Sequence, residues 1–413
     1  MADTKGGPPL NGLRVVEVGV AMAGPFCGMM LADYGADVVK IERSDYGDES
    51  RKWPPHFSGD DVSYYFAGAN RNKRSLAIDL KSERGRDLVF RLACESDVLI
   101  DNFRVGALEE LGLGYEDLQA KNPGLIYCSI SGFGRDGPRR FDRANDIFMQ
   151  AFSGGMSLTG YPDSPPAKMG ISVADIGAGM FGTIGILMAL EARHRTGRGQ
   201  RVDTSLLEGQ IAMLSNHVTY LYAAKKPPQR RGASGQVNVP YQAFKASDDW
   251  LVIAAFTDRM WQGVCRGLNH PEWGDDPRFA RAADRIQNGK IVIGLMSDII
   301  VTKPAKYWVE RLVAEGVPCA PVNTIDQVVE NEQVHAREMI VEMQDARGQT
   351  LRMPGRPIKF SESKSGEWSA PPMLGQHNRE ILRVLGLSDP DIAALENEGV
   401  LGGARMQAGL RQS

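Results

Sequence analysis

The first 130 residues alternate short apolar runs of strand type with stretches of helical periodicity, and this alternation constrains the fold more than any other feature. Leu13 to Gly19 reads as a strand, Gly24 to Tyr34 as a helix with Pro25 near its first position, and Ala36 to Glu42 as a second strand. Ser75 to Leu80, Asp97 to Asp101 and Gly124 to Ile130 continue the series, with a helix from Ser82 to Glu95. Strands separated by helical stretches of about 10–15 residues predict an α/β domain with a parallel sheet and right-handed crossovers. Asp175 to Arg195 reads as a long buried helix, capped by its aspartate and carrying Arg193, His194 and Arg195 in its last turn. A second long helix spans Ser205 to Ala224.

The stretch Lys225 to Val239 is basic and rich in proline and glycine, the clearest break in composition. It leads into a smaller domain with Tyr241–Lys245 and Trp250–Ala254 as antiparallel strands and helices between Arg259 and Gly316. Gly355 to Phe360 reads as a further strand and Pro371 to Gly386 as a terminal helix. At about 150 residues per domain, the length fits two domains, or one large domain with a smaller one inserted. With 48 basic and 51 acidic residues the net charge is −3, which excludes a strongly basic nucleic-acid binder. The five cysteines contain no C-x-x-C pair and read as small buried residues of a reducing compartment. The six histidines form no metal-ligand spacing, so no metal is expected. The N-terminus has no hydrophobic run of signal-peptide type. The longest apolar stretch, Ile176 to Leu190, falls short of the ~20 residues of a membrane span. A cytoplasmic enzyme with neither a membrane nor a nucleic-acid partner is the expectation.

The opening β-α-β invites a dinucleotide reading, but Gly19, Gly24 and Gly28 do not have G-x-G-x-x-G spacing. Pro25 also removes an N–H that a pyrophosphate would use. Basic residues gather at Arg43, at Arg71/Lys73/Arg74 and at Arg139/Arg140/Arg143, three clusters near strand ends or starts. Such clusters in an otherwise neutral-to-acidic chain suit a small molecule carrying several phosphates. Asp175 stands between an extended segment and a long apolar helix, with Gly170, Gly177 and Gly179 around it and no cation within five residues. Two roles stay open for it from the residues alone: a helix N-cap worth about 1 kcal/mol, or a nucleophile or base.

Further motifs identify a relationship. Ala23-Gly-Pro25, Val39-Lys-Ile-Glu-Arg43, Asn72-Lys-Arg-Ser75, Asp101-Asn-Phe103 and Asp146 with Gln150-Ala151 occur in order. Ser157-Leu-Thr-Gly160, Arg195-Thr-Gly-Arg-Gly-Gln200, Gly316-Val-Pro-Cys-Ala-Pro-Val322 and Ala370-Pro-Pro-Met-Leu-Gly-Gln-His377 follow. In these blocks the chain resembles the family III CoA-transferases from Leu10 to about Val400. The resemblance implies a large Rossmann-like parallel-sheet domain built from both chain ends (1–224 and 331–413). It also implies a smaller α+β domain (225–330) and an interlocked homodimer.

By the same resemblance Asp175 is the nucleophile, forming an aspartyl anhydride and then an aspartyl-CoA thioester. CoA or acyl-CoA is a substrate, and no cofactor is bound permanently. Met22, Ala23, Arg43, Ile78, Asp79, Leu80 and Lys81 are implied to contact CoA, Arg43 and Lys81 near its phosphates and Ile78 to Leu80 near its adenine. Asn102, Phe103, Arg104, Arg143, Ala144, Asn145 and Asp146 are implied to line the same channel. Gly232, Ser234 and Gly235 resemble the loop that covers the acyl intermediate. Met22 stands where the formate/oxalate branch has a glutamine, and Glu110 where that branch has an arginine, with Arg104 as a substitute. Gly114-Tyr-Glu-Asp117, Ile126-Tyr-Cys-Ser-Ile130 and Val239-Pro-Tyr-Gln-Ala-Phe-Lys245 look most like succinyl-CoA-dependent dicarboxylate transferases. The alternatives are an α-methylacyl-CoA racemase on the same fold and a CoA-binding protein without chemistry. The racemase would need a proton-carrying histidine where this chain has Asn145.

Overall fold

A computed structural model describes residues 6–58, 62–235 and 238–403. β1 (Arg14–Val18), α1 (Ala23–Asp33) and β2 (Asp37–Glu42) open the chain, and β3 (His56–Ser58) pairs antiparallel with β4 (Val62–Ser63). α2 (Tyr64–Asn70), β5 (Lys73–Ala77), α3 (Glu83–Cys94), β6 (Val98–Asp101), α4 (Tyr115–Gln119) and β7 (Ile126–Ser131) continue the alternation. Then come α5 (Asp146–Phe152), α6 (Gly155–Leu158), α7 (Val173–Thr196), β8 (Arg201–Ser205) and α8 (Leu206–Ala224). Six of these strands form one sheet, parallel throughout, in the order β5-β2-β1-β6-β7-β8. Chain order reverses between β1 and β6, so the loops leaving these two strands diverge and open a crevice at the carboxyl edge.

The chain divides into two compact units, 1–155 with 169–219 and 336–413, and 156–168 with 220–335. The second unit therefore begins and ends five residues from the expected limits of 225 and 330, and also takes in 156–168. It holds β9 (Tyr241–Lys245) and β10 (Trp250–Ala254), then α9 (Asp258–Gly267), α10 (Ala282–Gln287), α11 (Gly289–Ile300) and α12 (Ala305–Ala314). β11 (Cys319–Pro321) completes an antiparallel sheet in the order β11-β10-β9, and α13 (Ile325–Val329) and α14 (Glu332–Ala336) follow. Trp261, Phe244, Phe279, Trp308 and Leu312 fill its core.

The C-terminal part of the first unit contains the hairpin of β12 (Ile340–Gln344) and β13 (Thr350–Pro354), then α15 (Asn378–Val384) and α16 (Asp389–Asn397). The strand expected at Gly355–Phe360 lies instead at Thr350–Pro354. Leu351 and Met353 alternate inward there, whereas Pro354 and Pro357 lack the N–H needed to extend the ladder. The chain's far end returns to β5: Asp79 N–H donates to the Val400 carbonyl and Gly402 N–H to that of Ala77. Both chain ends thus belong to the same unit, and the return covers an otherwise open sheet edge.

The inner strands β2, β1, β6 and β7 are buried on both faces, which is why they are rich in Val, Ile and Leu. Val15, Val38, Ile100 and Cys128 point into a core with α1 and α7, while Val16, Val39, Leu99 and Tyr127 point into one with α3, α15 and α16. α7 packs on α1, β7 and β8. At 24 residues, with a window of mean hydropathy 1.8, it is long and apolar enough to cross a membrane. The helix thus exceeds the apolar run Ile176–Leu190 seen in the sequence, and half of that window is buried inside the protein.

Candidate active site

The segment after β1 is held from two sides. Asn102, just past β6, clamps Val20: its Oδ1 accepts the Val20 N–H at 2.9 Å and its Nδ2 donates to the Val20 carbonyl at 3.0 Å. The Asp48 carboxylate accepts the Ala21 N–H at 3.1 and 3.2 Å, fixing Ala21 in the left-handed region (φ 62°). Behind the loop lies a fully buried charge cluster. Lys40 donates to Glu17 and to the Gly19 carbonyl and pairs with Asp48 at 3.0 Å. Lys73 sits 2.6 Å from Glu17 and donates to the Pro25 carbonyl. Burial opposes the charge on Lys40, but Glu17 and Asp48 hold its pKa above the usual value. Burial, together with the neighbouring Lys40, outweighs Glu17 at Lys73 and lowers its pKa to about 8.

In front of the loop, a cavity of about 560 Å³ opens at the carboxyl edge of the sheet. Val18 to Val20, the segment Ile41 to Glu49 after β2, Ile78 to Lys81 after β5, Phe103 and Leu111 line it. Of the residues implied to bind CoA, it brings together Arg43, Ile78, Asp79, Leu80, Lys81 and Phe103. Asn102 acts beside it through Val20, and Arg104 is exposed and paired with Glu110 at 2.6 Å.

Asp175 lies in the first turn of α7, and its expected capping role is overturned. The helix begins at Val173 with Ser172 as the residue before it, and Asp146 of α5 supplies the cap, its Oδ1 accepting the Ala174 N–H at 2.9 Å. Gln150 holds the other Asp146 oxygen at 2.7 Å. Among the described residues, no hydrogen bond or ion pair reaches the Asp175 carboxylate. Burial, helped by the negative charge of Asp146, raises its pKa to about 7. The Tyr65 phenol, bonded to Ser172, stands close enough to feel both carboxylates. Asp175 is one turn before Gly179 on the same helix face. A Cβ on Gly179 would meet the Ala23 carbonyl at 2.7 Å. The α1 N-terminus, with Met22 before its first turn, therefore joins the cavity side at Gly19 and Val20 to the α7 face that carries Asp175.

Asn145 is the N-cap of α5, accepting the Phe148 N–H at 3.1 Å, while Ala144 packs on Gly132 and Arg143 is exposed. The basic cluster at Arg71, Lys73 and Arg74 does not face the cavity. It precedes or opens β5, at the amino edge of the sheet, and is consumed internally: Arg71 by Asp33, Lys73 by Glu17, Arg74 by Asp37. Arg139 pairs with Asp142 and lies over Phe133 and Phe152. Gly232, Ser234 and Gly235 belong to the second unit. Gly232 (φ 60°) donates to the Gly160 carbonyl beneath the Tyr161 ring, Ser234 bridges Gln242, and Gly235 donates to the Tyr241 carbonyl.

Residues 10–378 match the family described as CoA-transferase family III. The chain is 36% identical over 394 residues to the succinyl-CoA:glutarate CoA-transferase of Mus musculus, covering 95% of this chain and 90% of that one. It is 36% identical over 387 residues to the succinyl-CoA:mesaconate CoA-transferase of Haloarcula hispanica, covering 92% and 96%. The solved structure of a CAIB/BAIF family protein from Brucella suis superimposes with a TM-score of 0.83 at 37% identity, over 92% of this chain and 100% of that one. Agreement of this extent in both sequence and fold makes the protein a CoA-transferase: the chain belongs to CoA-transferase family III.

Proposed function

We propose that the enzyme moves CoA from succinyl-CoA to a small dicarboxylic acid through covalent intermediates on Asp175. The carrying observation is the Asp175 carboxylate itself, relieved of capping duty by Asp146 and left without a hydrogen-bond or ion-pair partner among the described residues. One oxygen of Asp175 attacks the thioester carbonyl, the C–S bond breaks, and a mixed anhydride and CoA thiolate result. The thiolate attacks the Asp175 carbonyl and expels the first acid as its carboxylate, leaving an aspartyl-CoA thioester. The acceptor carboxylate attacks that thioester and releases the thiolate. The thiolate then takes the acceptor acyl group and regenerates the Asp175 carboxylate. No net hydrolysis occurs, so the activation carried by the thioester is conserved.

The cavity at the carboxyl edge suits CoA, with Arg43 and Lys81 toward its phosphates and Ile78 to Leu80 beside its adenine. The dicarboxylate reading rests on the glutarate and mesaconate enzymes to which the chain is similar. Asn145, which would have to carry a proton in a two-base racemisation, has no group that acts as acid and base, and caps α5 instead. The working form in this reading is a homodimer of the interlocked kind.

Incubation with succinyl-CoA followed by hydroxylamine should place a hydroxamate on the peptide containing Asp175. Asp175→Ala should remove both the adduct and the transfer of CoA to glutarate or mesaconate. Full transfer by Asp175→Ala would overturn the assignment.

A further inference from the structure

Arg43, the first cation beyond β2, reaches the rim of the cavity already engaged. Asp45, two residues on, receives its guanidinium in a two-pronged contact: Nε to Oδ1 at 3.1 Å and NH2 to Oδ2 at 2.8 Å. This is the fork geometry in which an arginine takes a phosphate. Asp45 is itself set by the turn, since its Oδ1 also accepts the Tyr46 N–H at 2.9 Å. The Tyr46 ring lies 4.2 Å from the Arg43 guanidinium and 3.6 Å from the Lys52 ammonium, which keeps the arginine over the turn.

The charges along the cavity make this pair matter. Glu42 and Asp48 are balanced from behind by Arg51 and Lys40. Among the described residues, what remains on the lining is two cations, Arg43 and Lys81, against Asp45, Glu49 and Asp79. These residues carry no surplus of positive charge for a polyphosphate. An exposed ion pair is weak, and both partners here are more than half exposed, at 55% and 53%. A phosphate monoester, with about −1.5 to −2 charge against the single charge of a carboxylate, can therefore take the guanidinium from Asp45.

We propose that Asp45 is an internal stand-in for a phosphate on Arg43, so that acyl-CoA binds by exchanging one anion for another. The proposal rests on the reading that this cavity takes CoA. Its consequence is selectivity. A free carboxylic acid, the enzyme's other substrate class, gains nothing by approaching Arg43, because a carboxylate already occupies it. Only a group that binds the fork better than a carboxylate does displaces Asp45.

The test is the dissociation constant of CoA, measured by calorimetry at low ionic strength on the full chain, for wild type, Asp45→Asn, Arg43→Ala and the double variant. Asparagine keeps an oxygen for the Tyr46 N–H, so the turn is retained. Asp45→Asn should tighten CoA binding by about 2- to 5-fold, the worth of an exposed pair. In the Arg43→Ala background the same change should have no effect. Unchanged or weaker binding by Asp45→Asn, with Arg43→Ala still weakening it, overturns the stand-in and leaves the cavity reading in place. Equal tightening in both backgrounds overturns it too, by showing a general charge effect. If Arg43→Ala binds CoA as wild type does, the reading of the cavity fails and takes the proposal with it.

Discussion

In the proposed mechanism Asp175 must be ionised to attack a carbonyl, yet burial and the Asp146 charge push its pKa to about 7. The free enzyme then gains its nucleophile only as pH rises through that value, and kcat/KM should fall about tenfold per unit below it. Asp146→Asn removes the like charge while keeping an oxygen for the Ala174 N–H, so α7 stays capped. The acid limb should move to lower pH, but by less than the whole elevation, because burial is the larger cause. A limb that stays in place or moves upward, read from pH profiles of both enzymes, would show that another group titrates. The position of Asp175 was legible in the sequence from its glycine-flanked, cation-free setting. Its freedom was not. An aspartate at the start of a helix reads as a cap, and only the approach of α5, 28 residues away, transfers that duty to Asp146. Tyr65 and Ser172 escaped notice for the same reason, since their meeting depends on α2 lying beside the start of α7. Asn102 was expected at the ligand, but its amide is taken at both ends by Val20, a contact between loops that no local pattern announces.

α7 carries Asp175 at a height set by its contact with α1, and Gly179 is where the two helices touch. A methyl there would meet the Ala23 carbonyl at 2.7 Å and the Cys27 nitrogen at 3.3 Å, backbone atoms that cannot swing aside. Gly179→Ala should therefore cost about 1–3 kcal/mol, the usual range for overpacking. It should also lower kcat by roughly 10²-fold, as expected when a reacting group shifts by about 1 Å. Gly170→Ala meets nothing within 4 Å and serves as the control. Thermal melts and steady-state rates of the two variants check the contrast; equal behaviour would remove Gly179 from the positioning of Asp175. The apolar runs of β1, β2, β6 and β7 were legible because both sheet faces bury them, and the few charges they carry, such as Glu17 and Lys40, are paired inside. β8 was not, since Arg201-Val-Asp-Thr-Ser205 is an edge strand, mostly part-exposed, and lacks the apolar run that marks the inner strands. The basic cluster at Arg71 to Arg74 misled for a related reason: charge in sequence does not say at which end of a parallel strand it lies, or what partner consumes it.

At the scale of the whole molecule, α7 leaves a face unexplained by its own fold. Met180, Ile184, Leu187 and Met188 recur at helical spacing along one stripe and are between 42% and 67% exposed. An apolar stripe of this kind suits an interface better than a solvated face. A membrane would fit its hydropathy, but the opposite side of the same helix is locked between α1 and the sheet, so the segment cannot leave the core to span a bilayer. A second copy of the chain fits better and agrees with the proposed homodimer. Light scattering after size exclusion should then give twice the 45.2 kDa chain mass. Leu187→Glu with Met188→Glu should shift the protein toward monomer. Both side chains are exposed, so the fold of the single chain should survive by circular dichroism. A wild-type protein that elutes as a monomer and sediments with phospholipid vesicles would assign the stripe to a bilayer surface instead. Loss of transfer activity in parallel with loss of the dimer would show that the site beside α7 is completed only when two chains meet.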